Sequence, residues 1–234
     1  MVISTISLTR SNMNYFTPGA NVSERQTLPP PVAVSTVIFA IRDRKLSLPL
    51  VKRIKKPFMG DWALPGGPVT WEESLTDVAR RALKETTGLM PRYLEQLYTF
   101  GELERSRAER IISIVYWAQL DAVEVEQALE NVQWFEVRAL PSMAFDHTKI
   151  VEYAVQRLQS KVNLAAGFLD GAFTLGELRE VYEAILSRRL DAPNFRRRIL
   201  ASGMVEETGA TERNSAHRPA KLYKVKTRAQ NPIG

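Results

Sequence analysis

Gly66, Gly67, Glu73, Arg81 and Glu85 are the residues of this chain best spaced for chemistry on a phosphate group. The adjacent glycines follow Leu64-Pro65, and backbone without Cβ atoms lets peptide N–H groups close on an anion. Residues 71–87 read as a helix. On it, positions 82, 85 and 86 are spaced i, i+3 and i+4 and project from one face. Three carboxylates there would form an oxygen cage for Mg²⁺, a hard ion that takes carboxylate, water and phosphate ligands. A metal so held neutralises a diphosphate and activates the attacking water. The residues present are Ala82, Glu85 and Thr86, so the face offers one negative charge where three are needed. Glu73 lies close by with Glu72 beside it. Arg81 is placed to pair with Glu73 or Glu85, which ties the loop to the helix with no metal involved.

Gly67, Glu73, Arg81, Leu83, Glu85, Gly88 and Leu89 keep the spacing of a known signature, and the stretch resembles the Nudix box. Ala82 and Thr86 stand where that box has Glu. The resemblance implies a scaffold that holds a nucleotide diphosphate while its Mg²⁺ site is weak or absent. An ordinary solvated helix face would explain Glu73, Arg81 and Glu85 singly, but not the joint match.

Composition bounds the rest. The chain has 234 residues, room for more than one domain, and its 44% apolar content can build a core. It has no cysteine, so disulfides and thiolate metal sites are excluded and a reducing cytoplasm is the expected location. No apolar run reaches the ~20 residues of a membrane helix. Residues 1–29 are polar, lack the apolar core of a signal peptide, and read as an arm ending in the stiff Pro29-Pro30-Pro31. The net charge of +6 is uneven: residues 151–234 carry 14 Lys+Arg against 9 Asp+Glu. A basic C-terminal third points to an anionic partner, foremost nucleic acid.

These residues need elements to position them. Residues 32–41 and 46–54 read as buried strands joined by a turn, followed by a basic loop over 55–62. Residues 94–100 and 111–120 are further strands, separated by a charged loop holding Arg105, Arg107 and Arg110. A helical turn over 126–131 and a short strand over 132–136 complete a mixed sheet. A helix over 146–162, capped by Asp146 or Thr148, connects the two halves; His147 reads there as a capping or interdomain hydrogen-bonding residue.

The C-terminal region over 163–228 has its own grammar. Thr174 and Glu177 form a capping box before a helix that buries Leu178, Val181, Tyr182, Ile185 and Leu186. Asp191 caps a second helix with Pro193 in its first turn, and Gly203 ends it. Residues 204–207 and 221–225 follow as two strands around a polar turn. Two helices and a hairpin make a winged helix-turn-helix. On its second helix, Phe195, Ile199 and Leu200 should face inward, with Arg196 toward the apolar side and Asn194, Arg197, Arg198 and Ala201 outward. Arg pairs bidentately with guanine and Asn with adenine in the major groove. Thr174, Arg188, Arg189, Arg213, His217, Arg218 and Lys221 are placed for the phosphate backbone or the minor groove. A solvated or protein-binding face is the plain alternative. Eleven basic against four acidic residues over 188–228 favour double-stranded DNA.

A Nudix-like half, Phe145-Asp146-His147 at the start of the connecting helix, and Arg218-Pro219-Ala220-Lys221-Leu222-Tyr223 in the wing resemble the Nudix-related transcriptional regulators of bacterial NAD metabolism, the NrtR family. The resemblance covers about residues 30–227. It implies an α/β/α Nudix-like sandwich over 30–145, a small α+β winged helix behind it, and a short tail over 229–234. It implies a cytoplasmic homodimer on a palindromic operator, repressing NAD biosynthesis or salvage genes. It further implies relief by ADP-ribose or a related NAD-derived nucleotide, with no required cofactor. Carried over residue by residue, it places Gly66, Gly67, Glu73, Arg81 and Glu85 in the ligand pocket. Lys52, Arg53, Trp62, Arg105 and Arg107 are added as phosphate or adenine contacts. The alternative is an active pyrophosphohydrolase of ADP-ribose or a similar nucleotide. Loss of the two carboxylates argues against catalysis.

Overall fold

Strand β1 (Val32–Arg42) is the axis of the fold, and its run of apolar residues is explained by burial on both faces. Val37 and Phe39 point to one side and Ile38 and Ala40 to the other, each at most 1% exposed. The structure, a computed structural model, describes residues 30–105, 110–121, 129, 132–212 and 219–226. β1 turns through Asp43 and Arg44, both at positive φ (48° and 61°), into antiparallel β2 (Lys45–Lys52). Paired positive φ values are the backbone of a tight hairpin turn whose twist matches its strands. β3 (Trp62–Ala63) and β7 (Gln133–Glu136) pair with β2, and β4 (Gly66–Pro68) pairs with β1. β6 (Ile112–Leu120) runs parallel to β1 from Val32↔Ile112 to Ala40↔Leu120, and β5 (Glu95–Phe100) pairs antiparallel with β6.

One face of this seven-stranded sheet is covered by α1 (Leu75–Thr87), which packs Leu83 against Ile38, Ala40 and Leu120. α1 begins at Leu75, not at residue 71. The Ser74 side chain accepts the Asp77 N–H as N-cap, so Trp71 and Glu73 lie in the preceding loop and Trp71 is 98% exposed. Gly88, at φ 75°, ends the helix in the left-handed conformation that glycine adopts without strain.

The other face is covered by α2 (His147–Ser160) through Ile150, Val151, Ala154 and Leu158. This is the expected α/β/α sandwich. A 3₁₀ segment (Val162–Phe168) leads to β8 (Phe173–Thr174), α3 (Leu175–Leu186) and α4 (Ala192–Ser202). The strands β9 (Val205–Thr211) and β10 (Lys221–Val225) follow. The three-stranded order β8-β10-β9 behind two helices is a winged helix. Its capping box is present as expected, with Thr174 and Glu177 each bonding the other's backbone N–H.

The two halves do not meet as separate globules. A single apolar cluster runs from Val37, Phe39 and Leu48 of the sheet through Ile150 and Leu158 of α2 to Leu178, Val181 and Ile185 of α3 and Phe195 and Ile199 of α4. Polar contacts frame it. Arg44 reaches Glu180 at 2.8 Å, and Gln159 Nε2 donates to the Ile185 carbonyl at 3.0 Å. The expected arm, the helical turn (apart from residue 129) and the tail lie outside the described residues.

Candidate functional site

A cleft of about 480 Å³ opens between β1, β2, β4 and the start of α2. Gly66 and Gly67 form one wall because β4 lies tightly on β1, with Ser35 opposite Gly66. A Cβ on Gly66 would run into the Val34 carbonyl oxygen, so only glycine permits this approach. Lys52, Arg53 and Lys55 come from the end of β2 and the basic loop, and Arg105 from the loop after β5. Ser35 and Ser113 supply hydroxyls, bonded to each other at 3.0 Å. Phe145 and His147 close the floor. Four cationic side chains with hydroxyls and glycine backbone on an apolar floor suit an anionic, ring-bearing ligand.

The site's electrostatics are set by burial. The Arg53 guanidinium lies 4.7 Å from the Phe145 ring centroid and donates to the Pro57 carbonyl at 2.9 Å. His147 Nδ1 accepts the Leu64 N–H at 3.0 Å, which fixes the neutral imidazole. Burial, with the charges of Arg105 and Arg53 added, pushes its pKa down to about 3. His147 is therefore a structural hydrogen-bond acceptor that ties α2 to the glycine loop. Of the two expected caps, Asp146 or Thr148, Asp146 is the residue at the N-cap of α2, but it gives no side-chain cap bond; its carboxylate instead takes Arg105 at 2.9 Å.

The Nudix-like residues form a second, separate arrangement. Arg81 grips Glu73 with Nε and Nη2, both at 2.8 Å, and reaches Glu85 at 3.3 Å. Glu73 also accepts from Thr70, and the Arg81 hydrogen bond holds its carboxyl below the usual range. Ala82 is 3% exposed and packed toward Gly67. The Thr86 hydroxyl donates back to the Ala82 carbonyl at 2.7 Å. A Mg²⁺ cage does not fit these residues: one carboxylate is held by arginine, one position is a buried methyl, and one hydroxyl serves the backbone. Among the described residues no group of three His, Asp or Glu side chains converges as a metal site.

The expected pocket thus divides. Gly66, Gly67, Lys52, Arg53 and Arg105 line the cleft, whereas Glu73, Arg81 and Glu85 do not. Trp62 is not in the lining either. It packs edge-on to Phe135 at 4.9 Å and carries Lys52 over its ring at 5.2 Å. Arg107 lies outside the described residues. Sequence reasoning missed Ser35, Lys55, Ser113, Phe145 and His147 as cleft residues. Lys55 had a readable signal in the basic loop, and Phe145 and His147 had one in the Phe145-Asp146-His147 motif, which carried only a family resemblance.

On the winged helix, α4 buries Phe195 and Ile199 and exposes Asn194, Arg197 and Arg198, as its periodicity requires. Arg196 is exposed too, and Leu200, expected inward, is 42% exposed. The contact stripe of this short helix is only two residues wide. Arg197 Nη2 donates to Asn194 Oδ1 at 2.8 Å, and Arg188, Asn194 and Arg198 border one surface cavity beside Tyr182. Arg189 is exposed and bonds Glu183 at 3.3 Å, and Lys221 pairs with Glu207 on β9 at 2.8 Å. Thr174 is 9% exposed with its hydroxyl spent in the capping box, so the structure gives it a helix-starting role rather than a DNA-facing one. Arg213, His217 and Arg218 lie outside the described residues.

Residues 29–155 match the NUDIX domain family, and residues 165–225 match the NrtR DNA-binding winged helix domain. The chain is 34% identical over 205 residues to the ADPR responsive transcriptional repressor NtrR of Acinetobacter baylyi, across 83% of this chain and 82% of that protein. The crystal structure of Shewanella oneidensis NrtR with a 27mer DNA matches at 32% identity and TM-score 0.71, covering 83% of this chain and 93% of that one. The NUDIX domain of Shewanella oneidensis NrtR complexed with ADP ribose matches at 32% identity and TM-score 0.50, over 56% and 90% of the two chains. By its domain pair, its cleft and its exposed arginine helix, the chain belongs to the NrtR family of NUDIX-containing transcriptional regulators.

Proposed function

We propose that this protein is a ligand-gated DNA-binding repressor of NAD biosynthesis or salvage genes. ADP-ribose or a related NAD-derived nucleotide is the effector, bound in the cleft between β1, β2 and α2. Lys52, Arg53, Lys55 and Arg105 meet its diphosphate, with the glycine loop beside them, and Phe145 offers a face for a ring. The winged helix binds double-stranded DNA, with Asn194, Arg197 and Arg198 on base edges and Arg188 and Arg189 on phosphates. Two copies sit on the two halves of a palindromic operator.

The NUDIX domain does not hydrolyse its ligand. The observation that carries this is the buried Ala82, whose methyl packs toward Gly67 where a metal-binding carboxylate would need to be open to the phosphates. The relatives named for ADP-ribose response and for DNA complexes support the regulatory half of the reading.

A two-part experiment tests it. Fluorescence anisotropy on a palindromic promoter duplex should show tight binding that ADP-ribose reverses. Incubation with ADP-ribose and Mg²⁺ or Mn²⁺ should release no AMP. Robust turnover would replace the regulator by a pyrophosphohydrolase, and an operator response blind to ADP-ribose would remove the effector.

A further inference from the structure

We propose that Asp146 is a two-position switch: a ligand anion takes Arg105 from it, and the freed carboxylate then caps α2. The proposal rests on the reading of the cleft as a site for an anionic nucleotide.

Arg105 and Asp146 form a buried ion pair, with side chains only 4% and 9% exposed. Nη2 meets Oδ1 at 2.9 Å and Nε meets Oδ2 at 3.2 Å, while Nη1 donates to the Ile111 carbonyl at 3.2 Å. Each nitrogen of the guanidinium is thus engaged within the protein. Yet Arg105 lines the cleft, as do Phe145 and His147, which flank Asp146 in the chain. A phosphate entering the cleft offers Arg105 a second pair of anionic oxygens, which its planar guanidinium can bind bidentately.

Asp146 has an alternative as well. It is the N-cap residue of α2 but makes no side-chain cap bond. Ser74, Thr174 and Asp191 each cap their helices by accepting a backbone N–H. A carboxylate at this position ordinarily accepts from the second or third residue of the helix, here Thr148 or Lys149. With Arg105 in place both carboxylate oxygens are engaged by the guanidinium and neither caps the helix. Removing the arginine would leave a buried carboxylate uncompensated, and the helix terminus is the adjacent compensation.

The helix so reset leads to the DNA-facing half. Its first turn carries His147, bonded to the glycine loop, and its last turn carries Gln159, bonded to the Ile185 carbonyl of α3. Between them, Ile150, Val151, Ala154 and Leu158 share a core with Leu178, Val181, Phe195 and Ile199. Both sites therefore bias one discrete element, which is the physical requirement for coupling.

The experiment uses the full chain. Calorimetric titration gives ADP-ribose affinity, and operator anisotropy with and without saturating ADP-ribose gives a coupling factor, of order 5–150-fold for a working switch. Asp146→Asn loosens the hold on Arg105 but keeps a good cap, so α2 is capped before any ligand arrives: ADP-ribose should bind several-fold tighter, operator binding without ligand should weaken, and coupling should fall. Asp146→Ala also frees Arg105 but cannot cap, so ADP-ribose should still bind while coupling falls to about twofold or less. Unchanged coupling in both variants overturns the switch and leaves the cleft reading intact. Failure of the unmodified chain to bind ADP-ribose overturns the cleft reading and the switch with it. Should Asp146→Ala not fold, a crystal structure with ADP-ribose decides: a retained Arg105–Asp146 pair overturns the proposal, and Asp146 turned onto α2 supports it.

Discussion

Replacing Ala82 with Glu would put a carboxylate on a position that is 3% exposed and packed toward Gly67. A buried unpaired charge is among the costly classes of substitution, so a loss of ~2–4 kcal/mol should appear as a lower midpoint in thermal or urea melts. Thr86 is half-buried and its hydroxyl bonds only to backbone, so Thr86→Glu should change stability by about 0.5 kcal/mol or less. A fully stable Ala82→Glu protein with new Mg²⁺ affinity would show that the loop at Gly67 gives way easily. His147 makes a pH-dependent contribution with a definite sign. Its folded pKa, about 3, lies below the unfolded value near 6.5, so the unfolded chain binds the proton more readily. Stability from this group is complete above pH 6.5 and declines toward pH 3, a loss on the order of 3 kcal/mol by pH 4. Chemical melts of the protein and of His147→Gln should therefore converge as pH falls, and a constant gap between them would refute the assignment. Arg197→Ala should weaken operator binding by ~1–3 kcal/mol and relax preference at one base pair, as measured with a panel of single-substitution duplexes. At this scale the sequence showed charge and spacing but not direction. Arg105 read as a loop cation and is a buried partner of Asp146; Trp62 read as a stacking surface and is a half-buried ring packed on Phe135 with Lys52 over it. Only the folded path of the intervening chain decides such cases.

Elements were more legible than side-chain roles, because periodicity is averaged over many residues. The buried strands β1 and β6 stood out as long β-branched runs, and two-sided burial is the reason they show no polar alternation. The Thr174–Glu177 box and the Asp191–Pro193 start located α3 and α4 because each signal is a local hydrogen-bond pattern. The start of α1 was misplaced because Trp71-Glu72-Glu73 is compatible with helix, while the Ser74 cap takes the first turn for itself. At α2 the position is as expected, with Asp146 at the N-cap, but its side chain makes no cap bond because a distant partner, Arg105, claims it. The glycine pair offers a test at this scale. Gly66→Ala drives a methyl into the Val34 carbonyl, so it should separate β4 from β1, lower stability by ~2 kcal/mol or more and abolish ADP-ribose binding in calorimetry. Gly67→Ala meets only the Ala82 methyl at 3.4 Å and should leave stability nearly unchanged. Equal effects of the two substitutions would mean that β4 is not held by close approach.

For the whole molecule, the decisive feature is the apolar cluster that includes the sheet, α2 and both winged-helix helices. Composition located the basic C-terminal third, but hydrophobic patterning does not say which face of one half meets the other. A shared core predicts one cooperative unfolding transition. Scanning calorimetry should give a single peak with calorimetric and van't Hoff enthalpies in agreement, and two resolved peaks would contradict the continuity of the cluster. The same continuity limits how such a regulator could have been assembled. A sensor joined to a reader by a flexible tether can be exchanged like a cassette, each part keeping its own interior. Here Val181, Ile185 and Leu158 complete one interior between them, so a donor sensing half grafted onto this reader would have to bring the apolar stripe of its last helix in matching register. Lineages of this architecture should therefore diversify by changing the ligand or the operator in place, and seldom by shuffling halves.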